Sequence, residues 1–483
     1  MSLSAERLHV VVIGGGISGL AAAHQLHRLA THRRLPLRVT VLEGSARVGG
    51  KLLVSDVAGL PVDAGAEALL NRRPEAVTLA RDVGLGDDLR HPEPVGSGIW
   101  TRGAVRPMPS TVLGLPVDLP ALRTSGILSR PGLRRAWAGA LLPALGPRSP
   151  EAADAVSVGD CVSRLLGAEV TDRLVEPLLG GVYAGHARQL SLAAAAPQVS
   201  ALVGSARPLF LAARERLAQR AASSPEPVFA GIVGGVGRLP QAVAAASGAD
   251  IRTETMVREL LRPAAGRWQV VAGPTRTPQL LDADAVVLAV PAAPAARLLA
   301  GVAAGVAGEL RRIPYASVAV VTLAYPVAGL RQRLAGTGFL VPPVDARAVK
   351  AATFSSSKWS WLAAAGEAVV VRASLGRHGE EALLQRDDAE LVALAVADLA
   401  AAVGLPDRLL DARVTRWGGG LPQYLVGHRG RVERIRAAVA EVDGLELCGA
   451  AYDGIGVAAC VADGQRAAAR VVDALAERAT MRA

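Results

Sequence analysis

Disulfides are the first thing this 483-residue sequence does without: its three cysteines, Cys161, Cys448 and Cys460, are odd in number and lack CxxC spacing. That excludes a disulfide framework, offers no paired-thiol motif, and points to a reducing compartment. Aromatic residues make up only 3% of the chain. No basic run is interleaved with them, so nucleic acid is the poorest of the candidate partners. Long apolar runs are missing too. The longest uncharged stretches, 189–206 and 313–330, reach about 18 residues, and both contain proline and polar residues, so neither reads as a bilayer-spanning helix. Residues 1–8 are short and polar, and the apolar run after them reads as a strand and not as a signal peptide, so a cytoplasmic protein is expected. Acidic residues are in deficit: 53 Lys+Arg against 43 Asp+Glu leave a net charge of +10, carried mainly by arginine. Such a field attracts anions, whether an acidic membrane surface or a polycarboxylate substrate. What is plentiful is apolar: 51% of residues are hydrophobic and 20% charged. Those proportions predict a folded chain of two or three compact units.

The first fifty residues carry the clearest chemistry. Residues 9–13 read as a buried strand, and Gly14-Gly15-Gly16-Ile17-Ser18-Gly19 opens an alanine-rich helix. A second strand, 37–42, ends in Glu43. Each part has a mechanical task in holding a dinucleotide. Gly14 makes the tight turn, Gly16 lets the backbone approach a pyrophosphate, and Gly19 lets helix and strand pack closely. The pyrophosphate then meets the free N–H groups of a helix N-terminus, while Glu43 can accept the ribose hydroxyls. Beyond Glu43, Arg47 precedes Gly49-Gly50-Lys51, and Asp63-Ala64-Gly65-Ala66-Glu67-Ala68 follows. This pattern resembles the extended FAD fingerprint of the amine oxidase and protoporphyrinogen oxidase superfamily. Arg47 can meet a phosphate, and Gly50 lets N–H groups approach it. FAD is the expected cofactor.

Farther along, 74–83 reads as a helix ended by Gly84, and the pattern is helical from about 122 to 222. Within that stretch, 130–145 is basic and amphipathic, which suits a core-facing helix or peripheral contact with a membrane. Ser223-Ser224-Pro225-Glu226-Pro227 marks a boundary. A buried strand over 283–290 stops at Pro291, and strands at 318–324 and 368–375 precede a helix over 387–403. The tail repeats the opening arrangement: a strand ending at Gly449, then Gly454, Gly456 and Val457 introducing a long helix whose N–H groups can face the flavin. The expected fold is α/β, with a Rossmann-like FAD domain discontinuous over 1–95, 226–296 and 405–483. A largely helical domain over 96–225 and a mixed-sheet substrate portion over 297–404 complete it. His24, His27 and His32 lack cysteine or carboxylate partners at ligand spacing and are expected to be exposed helix histidines, with no metal site.

Several motifs converge on one family. Pro107-Met108-Pro109, Glu176-Pro177-Leu178-Leu179-Gly180-Gly181-Val182-Tyr183-Ala184-Gly185, Leu421-Pro422-Gln423-Tyr424-Leu425-Val426-Gly427-His428 and Gly449-Ala450-Ala451-Tyr452-Asp453-Gly454 are similar to the HemY-type porphyrinogen oxidases. Within them the chain most resembles the coproporphyrin-forming coproporphyrinogen III oxidases of Gram-positive bacteria. The resemblance implies an oxygen-dependent flavoprotein oxidase of haem biosynthesis that turns coproporphyrinogen III into coproporphyrin III and three H2O2. For the cofactor it implies Gly14 to Gly19, Glu43, Arg47, Gly50, Lys51, Gly65 to Ala68, Val257, Trp417, Gly449, Gly456 and Val457. For the substrate it implies Arg73 and the position of Ser374; by residue type Arg372 and Tyr424 are further candidate contacts, with no certain catalytic side chain. Ser374 stands where some relatives carry tyrosine, and Val457-Ala458-Ala459-Cys460 replaces Ile-Pro-Asp-Cys. A ferrochelatase of the same pathway and, at most, peripheral membrane contact complete the implied partners. Protoporphyrinogen IX, an amine or a carotenoid are the alternative substrates. A binding protein that has lost flavin is the alternative outside enzymology.

Overall fold

An apolar run with no polar alternation, such as Val10-Val11-Val12-Ile13, needs cover on both faces. In the computed structural model, which describes residues 7–482 except 206, 224–226, 264–266, 328–329, 331–333, 365 and 367, that cover is complete. Leu8–Ile13 is the central strand of a five-stranded parallel sheet. Its neighbours are Leu37–Leu42 and then Asp250–Arg252 on one side, Ala285–Leu288 and then Leu445–Leu447 on the other. The sheet thus gathers strands from the start, middle and end of the chain. On one face lie the opening helix Ile17–Arg33 and the closing helix Val457–Arg482, joined through Ala22, Ala23 and Leu26 against Ala467, Val471 and Leu475. They approach so closely at Gly464 that a Cβ there would sit 2.2 Å from the carbonyl oxygen of Ser18. On the other face lie an antiparallel meander, Val257–Leu261, Trp268–Ala272 and Gln279–Ala283, and helices including Ala292–Leu299 and His428–Ala440.

A second sheet has seven strands, in the order Asp411–Pro422, Tyr315–Pro326, Ala368–Leu375, Val349–Phe354, Gly338–Leu340, Gly98–Thr101 and Ala104–Pro107. The helix Asp388–Val403 packs on it, started by a capping box between Asp387 and Glu390. Pairing extends this sheet past the expected 297–404 portion. Strands 98–101 and 104–107, inside the expected 96–225 domain, and 411–422, inside the expected flavin unit, join it. Tyr315–Pro326, 12 residues long, pairs along one edge with the equally long Asp411–Pro422, while Gly98–Thr101 joins the far side by parallel pairing with Gly338–Leu340.

The third part is helical, from Leu119–Ser125 to Leu209–Ser223, around a core that includes Cys161, Val162, Leu174, Val175 and Leu190. The basic helix ends at Leu141, short of the expected 145, because Leu142 is extended ahead of Pro143. The boundary expected at 223–227 has its centre, 224–226, outside the described residues. Among the described residues, no helix is long and apolar enough to cross a membrane.

Candidate cofactor and substrate site

The glycine loop leaves the central strand and turns at once. Gly14 has φ +107°, and a Cβ there would lie 2.6 Å from the carbonyl oxygen of Ala289. At Gly19 a Cβ would come within 2.0 Å of the Gly14 carbonyl oxygen, so only glycine lets the helix start this close to the strand. Gly16 differs: a Cβ there would meet nothing within 4 Å, because it faces open space at the helix N-terminus. The second glycine pair is tied to the first, with the Gly49 N–H donating to the Gly15 carbonyl at 2.8 Å. Glu43 is aimed by three donors: the Gly15 N–H at 2.7 Å, and the Ser45 N–H and hydroxyl at 2.8 Å each. These are the features a dinucleotide requires: exposed N–H groups, a gap without side chains, and an oriented carboxylate.

They open into a cavity of about 1030 Å³, at the upper end of the roughly 300–1,000 Å³ common for ligand sites. At one end it is lined by Gly14, Gly16, Ile17, Ser18, Glu43, Gly50, Lys51 and Val257. The segment Gly65 to Ala68, Trp417, and the tail residues Gly449, Gly456, Val457 and Cys460 also line it. The tail helix begins at Val457 and packs beside the opening helix, with Ala458, Cys460 and Val461 against Ile17, Leu20 and Ala21, so its first turn lines the cavity next to the glycine loop. The Trp417 indole N–H donates to the Ala64 carbonyl at 2.9 Å, which fixes the ring against the 65–68 segment. The remaining wall is the seven-stranded sheet and the helix Glu176–Tyr183, through Val318, Val320, Lys350, Ser374, Leu421, Gly181 and Val182. Tyr315 also lines the cavity, and its hydroxyl accepts from the Ala292 N–H at 2.9 Å.

Charge at the site comes from Glu43, Lys51, Glu67, Arg258, Arg297 and Lys350, of which Arg258 and Arg297 are exposed and Lys350 is buried. Burial lowers the pKa of Lys51. Lys350 is pushed down to about 7 by burial and by the Arg377 guanidinium. Burial would raise Glu67, but Lys358 and Arg372 together pull it down to about 2.

Other expected contacts lie elsewhere. Arg47 spends its guanidinium on its own loop, donating to Gly50 at 2.8 Å and Val48 at 3.2 Å, and so braces the glycine turn without lining the cavity. Arg73 is on the surface, paired with Glu75 at 3.2 Å, away from the cavity lining. Arg372 is buried and committed to Glu67 and to the Gly65 carbonyl, behind the wall and not in it. Tyr424 stacks on His428 with ring centroids 3.9 Å apart, and burial raises its pKa. Its hydroxyl donates to the Ala450 carbonyl at 2.7 Å and accepts from the Gly454 N–H at 2.8 Å. That is a strut beneath the tail loop. Burial likewise pushes His428 down to about 4, and neither it nor Tyr424 lines the cavity. His27 and His32 are exposed as expected, whereas His24 is buried. Lys350 was not anticipated from sequence; its signal is a lone charge inside the apolar strand Val349–Phe354.

A family model described as flavin containing amine oxidoreductase matches residues 17–472. The chain belongs to the flavin-containing amine oxidoreductase family. Its cofactor is FAD, and the glycine cradle, the oriented Glu43 and the adjacent tail-helix N-terminus fit that group. Among members of the family, the chain is 30% identical over 461 residues to a protein of Bacillus subtilis (strain 168) named coproporphyrinogen III oxidase, covering 93% of this chain and 95% of the relative. It is 36% identical over 430 residues to a protein of the same name from Mycobacterium leprae (strain TN), covering 89% and 90%. The crystal structure of a provisionally named protoporphyrinogen oxidase from Exiguobacterium sp. 255-15 superposes with a TM-score of 0.84 at 30% identity, covering 97% of this chain and 99% of the other. The mixed α/β fold is therefore that of the flavin oxidases.

Proposed function

We propose that this chain is an oxygen-dependent coproporphyrinogen III oxidase. In this reading it removes six hydrogens from the macrocycle in three two-electron steps, and three O2 become three H2O2. One observation carries it: a single cavity runs from the glycine cradle to the wall of the seven-stranded sheet. A cofactor and a large, mostly apolar disc can therefore meet inside it. Flavin, when bound, supplies the two-electron oxidant and its reoxidation by O2. The protein's share is to hold, orient and exclude water. Gly14 to Gly19 and Gly50 would hold the pyrophosphate and Glu43 the ribose, with Val257 toward the adenosine. Lys51, Gly65 to Ala68, Trp417, Gly449, Gly456 and Val457 would surround the ring system. Val318, Val320, Leu421 and Ile455 offer the macrocycle a dry face. The labour divides accordingly, with flavin on the parallel sheet, substrate against the seven-stranded sheet, and the helical part closing the substrate end through Gly181 and Val182.

The test is porphyrin fluorescence appearing from coproporphyrinogen III and from protoporphyrinogen IX, with O2 uptake followed in parallel. A faster rate on the first, with three O2 consumed per porphyrin, is expected. An equal or greater rate on the second would move the assignment to protoporphyrinogen. No rate on either, or a colourless purified protein, would overturn the porphyrinogen reading.

Peripheral contact with an anionic membrane face is supported by exposed Trp137, Leu141, Leu142 and Leu145 beside exposed Arg130 and Arg134. It is checked by co-sedimentation with phosphatidylserine vesicles. Co-elution with the pathway's ferrochelatase checks the expected contact with that partner.

A further inference from the structure

Of the 53 Lys and Arg residues, only Lys51, Lys350 and Lys358 are lysine. Everywhere else the chain uses arginine for its positive charge. All three lysines belong to the cavity: Lys51 and Lys350 line it, and Lys358 pairs with Glu67, which lines it too. Lysine differs from arginine in being a compact point charge on a flexible stem, able to pair with a single carboxylate oxygen and to give up its proton when buried.

Lys350 stands out among the three. It lies at a bulge between strand positions that face Leu375 and Ser374. Val320 pairs with Ser374 on the neighbouring strand, so Lys350, Ser374 and Val320 share one patch of cavity wall. Lys350 is 4% exposed. Among the described residues it has no carboxylate partner, and its one hydrogen bond is a long one to the Gly180 carbonyl, 3.4 Å. An ammonium has three donors, so two are left for whatever enters the cavity. The neighbouring charge is another cation, Arg377, itself committed to the Val341 carbonyl and to Glu380. A buried cation without a counter-ion is costly, which is why burial and Arg377 lower Lys350 to about 7; a carboxylate entering the cavity that Lys350 lines would restore its charged form.

We infer that Lys350 is the carboxylate-recognition point of the substrate, pairing with one propionate of the porphyrinogen against the seven-stranded sheet, with the Ser374 hydroxyl beside it. The inference rests on the porphyrinogen reading above. It moves anion recognition from Arg73, which lies on the surface, to the buried Lys350.

The test uses the FAD-loaded protein and Lys350→Met, read by the binding of coproporphyrin III and of its tetramethyl ester through fluorescence quenching. One charge-assisted hydrogen bond is worth at least about tenfold in affinity. The wild type should therefore prefer the free acid to the ester by at least that factor. Lys350→Met should lose the preference by weakening the acid alone, with FAD content unchanged. In turnover, KM for coproporphyrinogen should rise more than kcat falls, and Lys350→Arg should recover part of the loss. Equal binding of acid and ester by the wild type would overturn the inference, as would an unaltered preference in Lys350→Met. If Lys350→Met does not fold, Lys350→Gln carries the same comparison. A wild type that oxidises neither porphyrinogen defeats the functional reading. An active wild type matched by Lys350→Met defeats only this one.

Discussion

Replacing Glu67 with glutamine removes the single negative charge from a buried trio. The side chains of Glu67, Lys358 and Arg372 are 13%, 16% and 8% exposed. Arg372 also donates to the Gly65 carbonyl at 2.6 Å, and so anchors the segment that lines the cavity. Glutamine keeps the shape but leaves two buried cations facing a neutral amide, and losing one partner of a buried pair costs about 3–5 kcal/mol. Proton linkage gives the same scale. The folded-state pKa of Glu67 is drawn from 4.5 to about 2, and a fall of that size is worth about 3 kcal/mol. Because the folded value lies below the unfolded one, this stabilisation is fully present above about pH 4.5 and is lost as pH falls toward 2. Denaturant unfolding of the FAD-loaded protein should show wild type ahead of Glu67→Gln by about 3 kcal/mol at pH 7, with the gap narrowing at pH 4. Substituting Met for all three residues should regain most of the loss, since an apolar replacement leaves no uncompensated charge. A difference within about 0.5 kcal/mol at pH 7, the range of ordinary surface changes, would refute the reasoning and make the trio solvated.

Gly19→Ala should lower both stability, by about 1–3 kcal/mol or more, and bound flavin, because the new methyl meets a backbone carbonyl that cannot move aside; flavin absorbance at full stoichiometry would contradict this. Tyr424→Phe should cost about 1–3 kcal/mol by stripping the partners of Ala450 and Gly454, while KM for the porphyrinogen stays near wild type; a large rise in KM would restore a substrate contact to this residue. Arg73→Ala should change stability by less than about 0.5 kcal/mol and KM by no more than about twofold. A larger KM effect in steady-state kinetics would put Arg73 back on the substrate path.

The glycine loops were legible because their chemistry is in the backbone. Gly14, Gly19 and Gly49 state a spacing and a conformation that no distant residue alters. Side-chain roles were less legible, since a guanidinium's partner is chosen by the fold. Arg47 found carbonyls three residues away, whereas Arg372 found Glu67, 305 positions earlier in the chain. Tyr424 sits in a motif that fits the porphyrinogen oxidases, yet its hydroxyl is used up on the tail loop. Lys350 was hidden by its company: in Val349-Lys350-Ala351-Ala352 the apolar neighbours announce a strand, and only the bulge turns the lysine to the cavity. The edges of the seven-stranded sheet were hidden because pairing between 98–101 and 338–340 is set by long-range closure, and no local pattern encodes it.

The parallel sheet that carries the glycine cradle takes its last strand from Leu445–Leu447, and the cavity takes the lining beside that cradle from Gly449 to Cys460. A chain emerging from the ribosome therefore exposes half of a nucleotide site some four hundred residues before the other half is made. Capture of flavin is thus deferred until synthesis is nearly finished, and for that interval the opening helix is without the closing helix that later covers it. The colour of the protein becomes a report on completion: nascent chains arrested before Gly449 should be pale, and released ones yellow.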